Sequence, residues 1–216
     1  MKIVYYVCLY SMLVSCGHSK KENPIYSYGK EFHFDVEFIK DSVLIDSAEI
    51  KLVVDQPKWY KFSYGQTVIR YEYNKNNLLQ ISDVKEETGV VEEADKIYLH
   101  PPRESFMKFA EIPPHPLLRF PLETGAYSET AINIIKGFEK LDGKTIKQKL
   151  TITGNENVTL GQLTYDSTWV INGCNTNFID ELGKYCVTYW YHESFGFIRM
   201  KYEKPDGITV DLKYRQ

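Results

Sequence analysis

Glu31-Phe32-His33-Phe34-Asp35-Val36-Glu37-Phe38 decides the fold. Phe32, Phe34, Val36 and Phe38 fall on one side of an extended chain, and His33, Asp35 and Glu37 on the other, because successive strand side chains point to opposite faces. Such a segment requires one covered face and one wet face, as in an antiparallel sheet with a core on one side. The same period of two recurs outward from it. It appears in Thr67, Ile69, Tyr71 and Tyr73, in Ile146, Gln148, Leu150 and Ile152, and in Leu163, Tyr165, Trp169 and Ile171. It appears again in Tyr185, Val187, Tyr189 and Tyr191, and in a closing hairpin with Ile198, Met200 and Tyr202 before Pro205-Asp206-Gly207 and Ile208, Val210, Leu212 and Tyr214 after it.

Other stretches read less regularly. Ser42 to Val54 gives a strand with a bulged start, and Tyr60, Phe62 and Tyr64 precede a turn near Gly65. Short strands are expected at Leu78 to Val84 and Ile97 to Leu99, separated by the acidic run Lys85 to Asp95, which reads as a solvated loop or hairpin tip. Ser128 to Ile135 is ambiguous between helix and strand. The expected fold is mainly β with little helix: a curled antiparallel sheet or half-barrel of roughly ten strands, joined by short connections.

His100 to Pro121 breaks the strand rhythm. It carries Pro101, Pro102, Pro113, Pro114, Pro116 and Pro121, which exclude a central strand and leave at most two helical turns between Arg103 and Glu111. It is nevertheless apolar at Phe106, Met107, Phe109, Ile112, Leu117, Leu118 and Phe120. Exposing that surface would cost about 25 cal/mol per Å², so the segment is expected to cover the sheet as a strap.

Composition agrees with a β domain: 17 Tyr and 11 Phe stand out among 216 residues, and aromatic side chains suit a pleated, half-buried surface. A formal net charge of −3 provides no footprint for nucleic acid.

Met1-Lys2 followed by an apolar run from Ile3 to Val14 reads as a secretory signal, too short to span a bilayer. Its end, Leu13-Val14-Ser15-Cys16, resembles the lipobox of bacterial lipoproteins. The resemblance implies cleavage before Cys16 and lipidation of that residue, with two or three acyl chains holding the protein on a membrane surface. Residues 1–15 are then a signal peptide, 16–30 a lipidated polar tether and 31–216 a single β domain. The expected location is an exported one, lipid-anchored to a bacterial membrane, with the outer membrane preferred.

The lipobox, the long strands, the Pro-rich strap and the segment Trp190-Tyr191-His192-Glu193-Ser194-Phe195-Gly196-Phe197-Ile198-Arg199-Met200-Lys201-Tyr202 with Asp206-Gly207 together resemble a known group. This is the Lol-like half-barrel of periplasmic lipoprotein carriers and outer-membrane lipoprotein receptors, and the small secreted domains of unknown function near it. The resemblance implies a concave apolar surface able to hold an acyl chain, and it transfers no individual binding residues.

For chemistry, His33, His100, His115 and His192 show no metal-ligand spacing. Neither a nucleophile elbow nor a phosphate loop nor a dinucleotide fingerprint is present, and no cofactor is expected. Counting by two places Trp190 and His192 together. Arg199 lies across from them if Ser194 to Gly196 is a tight turn, giving a candidate ligand face for a sugar or carboxylate. The alternative packs Trp190 as core and leaves His192 and Arg199 solvated. Cys174 and Cys186 sit six residues to either side of Asp180. They lie directly opposite, at disulfide distance, if Asp180 centres an antiparallel connection. A bulge at Gly173 would instead turn Cys174 away and leave two free thiols.

Three functions remain open from sequence: a non-enzymatic envelope lipoprotein binding an apolar or lipidated ligand in the concave sheet, an interaction module holding another envelope protein by a sheet edge or the acidic loop, and a hydrolase. The first is preferred.

Overall fold

The computed structural model describes residues 21–56, 66–74, 85–134, 138, 141–177, 179 and 182–216. The signal peptide, Cys16, the Tyr60-Phe62-Tyr64 strand, the Leu78 to Val84 strand and Asp180 lie outside the described residues. Strands β1 (Glu31–Lys40), β2 (Val43–Val54), β3 (Gln66–Asn74), β4 (Lys85–Glu92), β5 (Lys96–Leu99) and β6 (Leu117–Arg119) form the first half of the chain. A 3₁₀ helix, Ser105–Glu111, lies between β5 and β6. The second half contains β7 (Tyr127–Asn133), β8 (Thr145–Leu160), β9 (Leu163–Asn175), β10 (Cys186–His192), β11 (Gly196–Glu203) and β12 (Ile208–Arg215).

All twelve form one antiparallel sheet in the order β6-β5-β4-β3-β2-β1-β12-β11-β10-β9-β8-β7. Each half is therefore a meander, and the two meanders join where β1 pairs with β12, Phe34 opposite Tyr214 and Val36 opposite Leu212. The outermost strands, β6 and β7, are consecutive in sequence. Their short connection draws the two edges of the sheet toward each other into a nearly closed barrel. Sheet closure is the general remedy for exposed edges, and here it stops one junction short.

The period-two readings hold where the pairing is regular. Phe34, Val36, Ile50, Leu52, Ile69, Tyr71, Tyr189, Tyr202 and Leu212 are all buried on the inner face. They fail at three bulges. Between Trp190 and Tyr191 the register on β11 slips so that Trp190 opposes Arg199 while Tyr191 opposes Phe197. Ile198, expected beside Met200, therefore turns outward, because a bulge adds one residue and flips the alternation. A second slip between Glu156 and Val158 coincides with Ser167 at φ 52°, and it puts Tyr165 on the outer face rather than with Trp169. The third, between Ile152 and Gly154, carries β8 through the turn expected at Gly154-Asn155.

Two further expectations are corrected. The acidic run is strand β4 as far as Glu92 and the β4–β5 hairpin tip from there to Asp95; it is not a solvated loop, since Glu86 and Glu93 are buried. The tether does not extend to residue 30. Ile25 and Tyr26 are buried in the core, their backbone N–H groups donate to Glu92 at 2.9 and 3.0 Å, and Lys21 pairs with the same carboxylate. The two apolar residues of this polar stretch show no period that would mark them as core; a buried carboxylate supplies the partner for their backbone.

Cys174 and Cys186 are directly opposite on β9 and β10, with Cα atoms 4.1 Å apart, and are joined by a disulfide. Asn175 N donates to Tyr185 O, so the neighbouring 174–186 pair is of the close, non-hydrogen-bonded type. Gly173 forms no bulge. A Cβ there would sit 2.5 Å from Lys149 O, 2.6 Å from Leu150 Cδ2 and 3.2 Å from Pro114 Cγ, so this glycine lets the strap lie flat on the sheet.

Candidate functional site

Trp190 and Arg199 meet as anticipated, on the outer face of β10 and β11. The guanidinium carbon of Arg199 lies 4.4 Å from the Trp190 ring centroid. Both are already engaged: Arg199 makes two hydrogen bonds to the buried Asp211, at 3.0 and 2.7 Å, which raise its pKa. Trp190 Nε1 donates to Glu156 at 2.8 Å. Trp190 packs with Val158, Tyr165 and Ile198 beneath the long β8–β9 hairpin, which bends over the outer face at its bulges. His192 accepts the Ser194 N–H on Nδ1 at 3.1 Å in the turn before β11, and its ring packs against Tyr165 and Phe195 at the edge of the Trp190 cluster. All three side chains of the candidate ligand face therefore have hydrogen-bond partners within the protein.

The strap occupies the concave side. Phe106 packs against Phe38 and Tyr73, Phe109 against Tyr202, and Phe120 against Tyr191. Met107, Ile112 and Leu118 are buried, and Leu117 is half-buried. Three inward side chains take up the strap's carbonyls: Tyr71 donates to His100 O at 2.8 Å, Tyr189 to Pro114 O at 2.6 Å, and Gln148 to both Ile112 O and Pro113 O at 2.9 Å. A proline-rich segment leaves its carbonyls without strand partners, and the inward Tyr and Gln residues supply them. At its start Arg103 is clamped to Glu86, with Nε–Oε1 2.8 Å and N–Oε2 2.9 Å, while Tyr73 donates to Glu86 at 2.5 Å. Arg103 also reaches Glu111 at 2.9 Å. Among the described residues no buried side-chain nitrogen or oxygen lacks a hydrogen-bond partner. The interior expected to be an open concave surface is filled by the protein's own strap.

An apolar-walled space lies instead at the seam between β6 and β7, while two larger clefts are lined by groups such as His33, Glu49 and Lys51, and Glu37, Gln162 and Lys213. A half-open groove of about 330 Å³ is lined by Val91, Leu117, Ile132 and Leu150, with Lys96, Arg119, Thr130 and Gln148 around them. Tyr98 and His115 form one wall. Their hydrogen bonding assigns tautomers. His115 Nε2 faces the Glu111 carbonyl at 3.3 Å, an acceptor, so it carries the proton. Its Nδ1 therefore accepts from Tyr98 Oη at 3.0 Å. His100 Nδ1, at 3.5 Å from the same hydroxyl, is left to donate. Burial, with Arg103 and His115 nearby, depresses His100 to about 4. Burial likewise lowers His115. Burial and the Glu111 charge push Tyr98 up to about 12. The wall is thus a neutral, directed hydrogen-bond chain, able to orient a polar group but without a charged nucleophile. Sequence reasoning missed the seam because it arises from strands that fail to pair, and β7 carries no alternation of its own: most of its residues are exposed. Among the described residues no three His, Cys, Asp or Glu converge as a metal site requires.

No protein-family model and no curated protein matches the chain. Solved structures do. A candidate exported protein with YmcC-like fold from Bacteroides fragilis NCTC 9343 is similar over 88% of this chain and 98% of its own, with 10% identity and a TM-score of 0.50. A candidate lipoprotein from Parabacteroides distasonis ATCC 8503 covers 88% of this chain and 94% of its own, with 10% identity and a TM-score of 0.44. The first likeness, over 88% of this chain, is one of fold: the nearly closed meander belongs to an architecture seen elsewhere, while the seam and strap chemistry is particular to this chain.

Proposed function

We propose that this protein is an exported envelope lipoprotein, anchored to the outer membrane through Cys16, whose β domain binds an apolar ligand bearing an anionic group. The Leu13-Val14-Ser15-Cys16 lipobox supports the anchor, and the description of the B. fragilis fold neighbour as a candidate exported protein is in keeping with it. The single observation supporting the binding reading is the seam groove. Its floor is apolar at Val91, Leu117, Ile132 and Leu150, and Lys96 and Arg119 offer cations around it. Lys96 is paired with Glu93 at 3.0 Å, while Arg119 has no ion-pair partner among the described residues. Concave sites with apolar walls and a few convergent polar groups are the usual form of small-molecule pockets. The strap holds the remainder of the barrel closed, so the ligand occupies the seam and not the interior.

The test is native mass spectrometry of the full-length lipidated protein extracted gently from membranes, together with titration of a fluorescent fatty acid. A co-purifying apolar mass and saturable binding are expected, both lost in Thr130→Trp, which fills the groove from its rim. Absence of both in the wild-type protein overturns the reading.

A further inference from the structure

The register of β7 on β8 sorts its backbone groups. Ile134 N donates to Lys144 O, Ile152 N donates to Ala126 O, and Thr130 lies opposite Gln148. Hydrogen-bonded residues alternate with non-bonded ones in an antiparallel pair, so Ala126, Ser128, Thr130, Ile132 and Ile134 turn their N–H and C=O toward β8. Tyr127, Glu129, Ala131 and Asn133 therefore turn theirs into the seam. On the other side, Leu99 N donates to Pro116 O and Phe120 N to Asp95 O, so Leu118 faces β5 while Leu117 and Arg119 face the seam. Among the described residues no ladder joins β6 to β7.

Natural edges are blunted by brevity, proline, bulges or inward charges. β7 has none of these: it is seven residues long, free of proline and in unbroken register. The charge beside it is biased. Arg119 and Lys147 have no ion-pair partner among the described residues, whereas the edge's one carboxylate, Glu129, already faces Lys149 at 3.6 Å. Inward side chains of a strand laid here would meet Leu117, Ile132 and Leu150; outward ones would lie beside Glu129 and Ala131 of β7, with Lys149 and Lys147 one strand further on β8 and Arg119 across the seam.

We propose that β7 is an acceptor edge: an extended segment of a partner protein, apolar at alternate positions and acidic between them, adds to it as an additional strand. Main-chain bonds to Tyr127, Glu129, Ala131 and Asn133 supply the attachment, and the apolar and cationic neighbours select the sequence. This rests on the backbone inventory and not on the apolar-ligand reading.

The test is residue-resolved amide exchange on the full-length chain with a capped heptapeptide of alternating glutamate and valine. The Glu129, Ala131 and Asn133 amides should slow by roughly tenfold or more, while those of Thr130 and Ile132, already bonded to β8, stay unchanged. A lysine–valine peptide should protect less. Ala131→Pro removes an N–H that β8 does not use, and should abolish the protection. If that variant fails to fold, the glutamate–valine peptide N-methylated on its β7-facing amides provides the same comparison and should not protect. Unchanged exchange at millimolar peptide, or equal protection with the blocked edge, overturns the proposal. Protection that grows with protein concentration in the absence of peptide overturns it in favour of a second copy of this chain as the occupant.

Discussion

Between His100 and Pro116 the chain lies inside the barrel with its carbonyls taken up by Tyr71, Gln148 and Tyr189. From Leu117 to Asn133 it forms two facing edges that no ladder joins among the described residues. The two regions adjoin in sequence and close the same barrel by different means. The strap closes it with side chains, each reaching a specific main-chain atom, and a buried polar group once paired is costly to release. At the seam, closure would need main-chain pairing, and the chain withholds it. The buried side-chain polar groups of the interior are all satisfied, while the unpaired main-chain groups are gathered at that one junction, among the described residues.

The sharpest way to break this comparison is at the strap's anchor. Glu86→Ala leaves the Arg103 guanidinium, the Arg103 N–H and the Tyr73 hydroxyl without their shared acceptor. Removing one member of such a buried cluster should cost about 3 kcal/mol, toward the lower end for buried charge pairs because Arg103 is partly exposed and retains Glu111. Urea denaturation measures it. A loss below about 1 kcal/mol would mean that the strap is a movable lid, and the contrast with the seam would dissolve.

The next effect is at the disulfide. Replacing Cys174 and Cys186 together by Ser opens a loop spanning a sequence separation of 12, for which chain entropy gives about 2–3 kcal/mol. Denaturation of the double variant beside oxidised wild type checks it. The bridge crosses β9 to β10, next to Gly173 under Pro114, so the same variant should also loosen the sheet where the strap rests.

Which of these features could be read from sequence follows from their physics. Alternation gave the faces of β1, β3 and β12, because burial on one face imposes a period of two. Symmetry about Asp180 gave the cysteine pairing, since two antiparallel strands share one centre. Ile198 and Tyr165 were misplaced because a bulge leaves no compositional mark. The burial of Glu86 and Glu92 leaves no local mark, because their partners, Arg103 and the Ile25–Tyr26 backbone, lie far away in sequence. The strap residues Phe106 and Phe109 were recognisable as cover, but that the cover fills the interior depends on packing volumes no local pattern encodes. Trp190 and Arg199 were correctly brought together, yet Asp211 and Glu156, which engage them, come from other strands.

A third test distinguishes the regions by pH. His100, at the join of strap and seam wall, is neutral in the fold with a pKa of about 4, against about 6.5 when unfolded. The unfolded chain binds the proton first, so this stabilisation is complete above pH 6.5 and is lost as pH falls toward 4. His115, lowered in the same direction, adds to it. Discounting for partial exposure, the loss should be about 1–2 kcal/mol. It should flatten in His100→Gln, as followed by denaturation midpoints at stepped pH. A wild-type profile flat between pH 6.5 and 4 would show that the Tyr98 chain is not held shut.

The smallest expected change in stability carries the most information about the seam. Arg119 lies on the three-residue edge strand β6, exposed and without an ion-pair partner among the described residues, so reversing its charge removes no contact on which the fold depends. Arg119→Glu should therefore shift the unfolding free energy by no more than about 0.5 kcal/mol, the ordinary range for a surface substitution. The same change places a carboxylate beside a groove whose proposed occupants are anionic, whether an apolar ligand's head group or an acidic strand, and like charges at close range oppose binding. Fatty-acid titration and amide exchange with the acidic peptide should both weaken by roughly tenfold, about 1.4 kcal/mol, while the lysine–valine peptide gains. If binding is unchanged and stability falls by 2 kcal/mol or more, Arg119 belongs to the structural frame, and the seam is then only an incompletely paired edge.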